Sequence, residues 1–477
     1  MTASPVSKPR RLAATLTALA LAGCAVTSTP PPRGIDMPAA WNEPAPADIQ
    51  PLVLDWWRAF GSAELADLVA EALAGNPDLA IASERIRQAE AVLQIAGASL
   101  FPTLDLNGGT AQTGSRPRGG PTTTNKSTDV ALTASYELDL WGKNASIARS
   151  AGESLQATRF DYETARLTLV ASVATTYFDV LTFRARLAIT RDTVAIAERI
   201  LAVVESRTRY GVASQLDLAR QQTAVLQARA IIPPLELLER QTLNALAVLV
   251  GRPPEGFDVA GRSVVALPVP GVEPALPADV LVRRPDIAAA EAQLAAANAD
   301  VAAARAALLP SIRLTGSAGL ASDALLSIGS SPTLIYAIAA SLLQPIFDGG
   351  RLRGQVDFAA SRERELVEGY RRSILAALTD VENALVAANR TAVQESLQTQ
   401  VREGAQRTLR LAEIRYREGV DDLLSVLDAQ RTLFQAQDQL AQIRLARLDA
   451  SVALYRALGG GWEAPERTPA TASSERR

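Results

Sequence analysis

The chain has 477 residues, of which 48% are hydrophobic but only 5% aromatic, a length for two or three ordinary domains or one elongated molecule and a composition that favours long helices packed through small side chains. A formal charge of −3 argues against nucleic acid as a partner. The absence of histidine removes Ser-His-Asp and Cys-His catalysis and any histidine-ligated metal, and the single cysteine, Cys24, excludes an internal disulfide.

In chain order, Lys8, Arg10 and Arg11 precede an apolar run from Leu12 to Ala22. That run is too short to span a bilayer and reads as the core of a signal peptide over residues 1–23. It ends in Leu21-Ala22-Gly23-Cys24, which looks like a bacterial lipobox: cleavage before Cys24 and lipidation of its thiol and new amine. The alternative is a small-residue cleavage site with an incidental cysteine. Two or three acyl chains would anchor the protein stably, where one would not. Ala25 rather than an acid after the cysteine favours, by resemblance to sorted lipoproteins, the outer membrane. Residues 24–54 are rich in Pro, Ala, Thr and Ser and read as a lipidated tether. No later segment approaches 18 uninterrupted apolar residues, so any further membrane crossing must be made by β-strands.

From Asp55-Trp56-Trp57 onward the chain repeats itself at an offset of 208 residues. Asn76-Pro77-Asp78 returns as Arg284-Pro285-Asp286, Phe101-Pro102 as Leu309-Pro310, Gly142-Lys143 as Gly350-Arg351, Gly211-Val212 as Gly419-Val420, and Gln222 as Gln430. Internal repeats decide architecture. The first copy is expected over 55–250 and the second over 283–460, with a linker at 251–282 and a disordered tail at 461–477. Each copy begins with a helix, from Pro77 to near Leu100 and from Pro285 to near Leu309, stopped by proline. A β-hairpin follows, at about 103–141 and about 311–348: Val130, Leu132, Ala134, Tyr136, Leu138 and Leu140 alternate with Ala131, Thr133, Ser135, Glu137 and Asp139, and Ile312, Leu314, Gly316, Ala318 and Leu320 with Arg313, Thr315, Ser317 and Gly319, the period of a half-buried strand. Gly114 to Ser127 reads as a solvated loop, and the alternation is weakest over Thr333–Phe347, where both faces carry apolar residues. Lys143 to Tyr210 and Arg351 to Arg417 contain no proline and predict helices about 100 Å long at about 1.5 Å per residue. Leu167, Val170, Ala174, Tyr177 and Leu181, and likewise Ile374, Leu378, Val381, Leu385, Ala388 and Ala392, keep coiled-coil spacing. Each long helix turns at a glycine and a second helix returns, from Ser214 to Val250 and from Asp421 to Leu458. Leu427, Phe434, Ala441, Leu448 and Tyr455 recur in the second one every seven residues, and Leu440 continues a neighbouring row of Val426 and Leu433. Pro233-Pro234 must interrupt the first.

Two hairpins supply four strands, too few to close a barrel, and open strand edges are forbidden in lipid. The barrel must therefore be shared among subunits. At this point the chain resembles the TolC-like outer membrane factors, specifically the lipoprotein branch that serves resistance-nodulation-division efflux pumps. Leu21-Ala22-Gly23-Cys24, Trp56-Trp57, Asn76-Pro77-Asp78, Glu137-Leu138-Asp139-Leu140-Trp141-Gly142-Lys143, Ile232-Pro233-Pro234-Leu235-Glu236, Arg284-Pro285-Asp286, Pro345-Ile346-Phe347-Asp348-Gly349-Gly350-Arg351 and Leu427-Asp428-Ala429-Gln430 carry the likeness through their order and spacing. The resemblance implies a mainly α protomer with a small β part, and a homotrimer with a 12-stranded barrel and a 12-helix periplasmic tunnel. It implies no enzyme activity and no cofactor beyond the lipid on Cys24. The expected function is a passive exit duct for drugs or small solutes in the outer membrane, opened by a periplasmic adaptor and powered by an inner-membrane transporter. A type I protein-secretion conduit and a coiled-coil lipoprotein scaffold without a pore are the alternatives.

The resemblance also implies site residues. A leucine ring and an aspartate ring constrict the tunnel in relatives, and Leu424 and Asp428 occupy those positions, four apart and so on one helix face. Three Leu424 side chains would exclude water and three Asp428 carboxylates would attract cations. The plainer reading makes Leu424 a coiled-coil core residue and Asp428 a solvated carboxylate. Arg209, Tyr210, Asp217, Arg415 and Tyr416 lie at the two turns and would latch neighbouring helices, or else are merely exposed. Gly211 and Gly419 suit close packing of an adaptor against the tips.

Overall fold

A computed structural model describes residues 35–45, 49–50, 52–323 and 332–463. Signal peptide, Cys24 and most of the tail lie outside the described residues. Nine helices are present among them: α1 (Ala63–Gly75), α2 (Pro77–Ala98), α3 (Lys143–Arg209), α4 (Gln215–Ala230), α5 (Ile232–Leu249), α6 (Pro277–Arg283), α7 (Pro285–Ala306), α8 (Arg351–Arg417) and α9 (Leu423–Ala457). The strands are β1 (Ile49–Gln50), β2 (Thr103–Ser115), β3 (Thr123–Leu138), β4 (Gly271–Val272), β5 (Ser311–Ser322) and β6 (Thr333–Leu343). The repeat is therefore kept by the elements themselves: α2 and α7, and α3 and α8, begin and end 208 residues apart. As expected, the chain is mainly helical with one small antiparallel sheet.

The chain divides into two compact units. The first comprises Arg85–Arg159 and Ala289–Arg371. Its sheet has the order β2-β3-β5-β6, all antiparallel, leaving β2 and β6 as open edges. The sheet is tied to the helices that follow it. Trp141 Nε1 donates to Pro310 O at 2.6 Å. Asp139 accepts from the backbone amides of Asn144 and Ala145 at the start of α3, and Asp348 accepts from Gly350 and Leu352 at the start of α8. Each carboxylate thereby satisfies orphan amides at a helix N-terminus.

One expectation fails in this unit. The polar segment Gly114–Ser127 is not a loop: β2 runs to Ser115 and β3 starts at Thr123, and Ser115 pairs with Thr123, so only residues 116–122 turn. Thr123–Ser127 is polar and exposed on both faces. Such a stretch carries no period-two signal, and backbone pairing rather than apolar burial holds it as a strand.

The second unit comprises Ile35–Glu84, Phe160–Ala288 and the described residues from Arg372 on. Its interior holds an aromatic cluster in which Trp56 stacks on Tyr455 at 5.2 Å, and Phe60 lies between Phe178 and Tyr455. Leu167, Val170, Ala174, Tyr177 and Leu181 are all buried, as their spacing predicts. Ile374, Val381 and Leu385 are buried and Leu378 half-buried. The expected row on α9 holds only at its far end, where Ala441, Leu448 and Tyr455 are buried. Near the turn the buried row is Val426 and Leu433. A straight helix drifts by about 20° per seven residues, so one heptad stripe does not stay on the core side along α9.

The returning helix of the first copy breaks at Ile231, before Pro233-Pro234, into α4 and α5, while α9 is unbroken. The segment 251–282 is less bare than a linker. Within it β4 pairs in parallel with β1, a 3-10 turn spans Val264–Ala266, and α6 begins at Pro277. Arg184 holds it by donating to Gly261 O at 2.6 Å, and Ser451 by donating to Pro270 O at 2.7 Å. Among the described residues no helix is long and apolar enough to cross a membrane.

Candidate functional site

Two places carry function-like geometry, one in each unit. The first is the sheet. Cross-strand partners in an antiparallel ladder lie on the same face, so the register sorts the side chains. One face takes Leu104 and Leu106 from β2, Val130, Leu132, Ala134, Tyr136 and Leu138 from β3, Ile312, Leu314, Ala318 and Leu320 from β5, and Leu334, Tyr336, Ile338, Ala340 and Leu342 from β6. The other face takes Asp105, Asn107, Asp129, Thr133, Ser135, Glu137, Arg313, Thr315 and Ser317, with Ile335, Ala337, Ala339 and Ser341 from β6. The apolar face is not buried by the protein: Ile338 is 91% exposed, Tyr336 79% and Leu106 72%. An exposed apolar face this large marks contact with another molecule or with lipid. From Leu334 to Leu342 a strand covers about 26 Å at about 3.3 Å per residue, about 20 Å of height when tilted by about 40°, close to the apolar band about 25 Å tall of an outer-membrane barrel.

The second place is the pair of helical turns. α3 ends at Gly211 (φ 77°) and α8 at Gly419 (φ 76°). Val212 N donates to Arg207 O and Val420 N to Arg415 O, the six-to-one bond of a Schellman motif, whose left-handed residue favours glycine. The next helices start on capping side chains. Ser214 and Asp217 form a reciprocal capping box, and Asp422 accepts from Ser425 N at 3.0 Å. Beneath the turns Ile200, Val204, Leu409, Tyr416, Leu423, Val426 and Leu433 form a buried cluster.

Leu424 and Asp428 do lie together. Both are exposed, and with Thr190, Leu216, Arg220 and Arg431 they line a recess of about 650 Å³. Asp428 accepts from Arg431 at 2.7 Å. Arg415 is paired within its own turn: Nε donates to one oxygen of Asp421 at 2.6 Å and Nη2 to the other at 3.0 Å. The hydrogen bonding and charge of this pair push the Arg415 guanidinium up and hold the Asp421 carboxyl below its ordinary range. Arg209 and Tyr210 are exposed. Asp217 serves its own helix start.

Tyr416 is not a merely exposed turn residue, being 7% exposed. The Arg207 guanidinium sits 4.6 Å over its ring and donates to Tyr416 O and Arg417 O, a cation–π contact and a cap on the last carbonyls of α8 together. Sequence reading passed over Arg207 and Asp421. A basic residue in the last turn of α3 was a weak signal for the first. Nothing local signalled the second, six residues from Arg415 and joined to it only by the turn. Among the described residues no three metal-binding side chains converge.

A four-stranded sheet with an exposed apolar face, joined to long paired helices, defines a class: an outer-membrane channel protomer. Comparison with known proteins agrees. The family described as outer membrane efflux protein matches the chain twice, over residues 68–252 and 276–460, once per copy of the repeat. The chain is 42% identical over 469 residues to the pyoverdine export outer membrane protein OpmQ of Pseudomonas putida, covering 96% of this chain and 99% of that protein. It is 37% identical over 411 residues to the solvent efflux pump outer membrane protein SrpC of Pseudomonas putida, covering 84% and 86%. Among solved structures, the open state of the Neisseria gonorrhoeae MtrE outer membrane channel superimposes with a TM-score of 0.83 at 30% identity, covering 93% of this chain and 100% of that one. The chain belongs to the outer membrane efflux protein family: it resides in the outer membrane and serves as an efflux channel.

Proposed function

We propose that three copies of this chain close a 12-stranded barrel in the outer membrane and line a periplasmic tunnel. The tunnel is a passive, non-enzymatic exit duct for small solutes, joined to a periplasmic adaptor and an inner-membrane transporter. The observation that supports it best is the sheet's two faces between two open edges. An open edge in lipid leaves backbone groups unsatisfied at several kcal/mol each, and pairing β6 of one copy with β2 of the next removes every edge. The apolar face then meets lipid, and the polar face lines water.

In this reading Leu424 and Asp428 form stacked rings that narrow the periplasmic end, and the Arg415–Asp421 pair fixes the shape of the turn that leads into their helix. Gly211 and Gly419 let an adaptor pack closely on the tips, with Arg209 and Tyr210 exposed and Asp217 half-buried beside them. Lipidation of Cys24 adds an anchor. Relatives that export pyoverdine or solvents suggest small organic cargo.

Planar-bilayer conductance of the purified protein, wild type beside Asp428→Ala, tests the assignment. A small cation-selective conductance should grow, or lose its selectivity, in the variant, and Arg415→Ala combined with Asp428→Ala should conduct more than wild type. No conductance from a sample shown to be trimeric would leave a scaffold rather than a channel.

A further inference from the structure

The strands sort charge as well as hydrophobicity. On the polar face stand Asp105, Asp129, Glu137 and Arg313. On the apolar face, among the described strand residues, the single charged side chain is Lys126. It lies on β3 two same-face positions beyond Val130, where the apolar row ends, with Thr128 between them and Gln112 as its cross-strand partner. The turn just past it carries Arg116 and Arg118, both exposed. None of the three bases has an acidic partner among the described residues.

We infer that Lys126, Arg116 and Arg118 form a basic outer rim on the lipid side of the barrel that binds the phosphates of outer-leaflet lipids. The inference rests on the barrel reading given above. Four residues of strand rise about 13 Å. Tilted by about 40°, they put the Lys126 backbone about 10 Å past the end of the apolar band. The headgroup layer extends about 5–8 Å beyond the hydrocarbon on each side, and the lysine stem is long enough to bring its ammonium back into it. The turn bases stand farther out, past the last ladder pair Ser115 and Thr123, and add to the positive potential at this end of the sheet. Phosphate fits because three cations gather at this end of the sheet against one described carboxylate, Asp323 just past β5, and because the acids of the same hairpin, Asp105 and Asp129, are on the opposite face. A lipid is favoured over a free anion because Lys126 shares its face with Val130, Leu132 and Leu320, so one ligand can meet both charge and hydrocarbon. Three copies would ring the channel with nine bases.

The test uses full-length protein reconstituted in phosphatidylcholine vesicles doped with phosphatidic acid, then counts co-purifying lipids per trimer by native mass spectrometry. Wild type should retain phosphatidic acid in excess of its share of the bilayer. The R116Q/R118Q/K126Q variant should lose that enrichment while conducting as wild type does, and Asp129→Asn should leave the enrichment unchanged. Undiminished enrichment in the triple variant overturns the proposal. So does an equal gain from Asp129→Asn, which would mean that net charge and not the sorted face attracts the lipid. Absence of conductance in wild type removes the barrel reading, and this inference with it.

Discussion

Gly251 and Gly459 close equivalent helices 208 residues apart, with φ of 78° and 77°. A Cβ on Gly251 would run into the carbonyl of Gly75, and one on Gly459 into that of Arg283, so the same backbone crossing is made once in each copy. Gly459→Ala combines left-handed strain with a backbone clash that cannot rotate away. Its cost should be at least about 1–3 kcal/mol, read as a lowered thermal midpoint. Asp449 is a second residue whose cost is local. Burial, and then the neighbouring Asp179, push its carboxyl up to about 7, and burial raises Asp179 as well. Because the folded state binds this proton more tightly than the unfolded chain, the stabilising protonated form is full below about pH 4 and is lost as pH rises through about 7. Asp449→Asn should flatten the fall in thermal midpoint between about pH 4 and 7 and raise stability at the upper end. An unchanged slope would place the titration elsewhere.

At the scale of elements, the long helices owe little to their own ends and much to packing, whereas α4 is short and depends on its cap. Ser214 and Asp217 satisfy two amides reciprocally. Ser214→Ala should cost about 1 kcal/mol and speed hydrogen exchange in the first turn of α4, without touching α9, which is capped separately by Asp422. The two returning helices differ for a reason visible in the chain. Pro233 and Pro234 cannot donate backbone hydrogen bonds, so the first copy breaks where the second continues. The 16- and 18-residue pieces meet at Ile231. The strands differ in the opposite sense. β6 has apolar residues on both faces and is exposed along its whole length, as an edge awaiting a partner would be.

For the whole molecule, the decisive property is which face of the sheet meets lipid. Ile338 stands mid-strand on the apolar face and Ala339 beside it on the other. Ile338→Lys should cost about 2–4 kcal/mol where the residue meets the bilayer midplane and reduce the yield of membrane-inserted protein in heated-versus-unheated gels. Ala339→Lys should insert normally and alter conductance instead. If both variants insert equally, the faces are not lipid and lumen. The pair thus tests the assembly without assuming which solute is carried.

By itself the sequence determined the repeat, the ends of the long helices, the proline break and the alternating rows of β3 and β5. Each of these is a periodic or local signal: glycine and proline set backbone limits, and hydrophobic spacing needs one side of an element to be apolar. It failed where that spacing carries nothing, as in Thr123–Ser127, which pairs as a strand with polar residues on both faces. Tertiary structure alone decided that Tyr416 is covered by Arg207 from a helix more than 200 residues earlier. It also decided that Arg415 pairs with Asp421 across a turn, that Asp179 and Asp449 confront each other, and that Leu424 and Asp428 open onto one recess. Those contacts join positions distant in the chain or separated by a turn. Their energies depend on burial and approach, which no local pattern encodes.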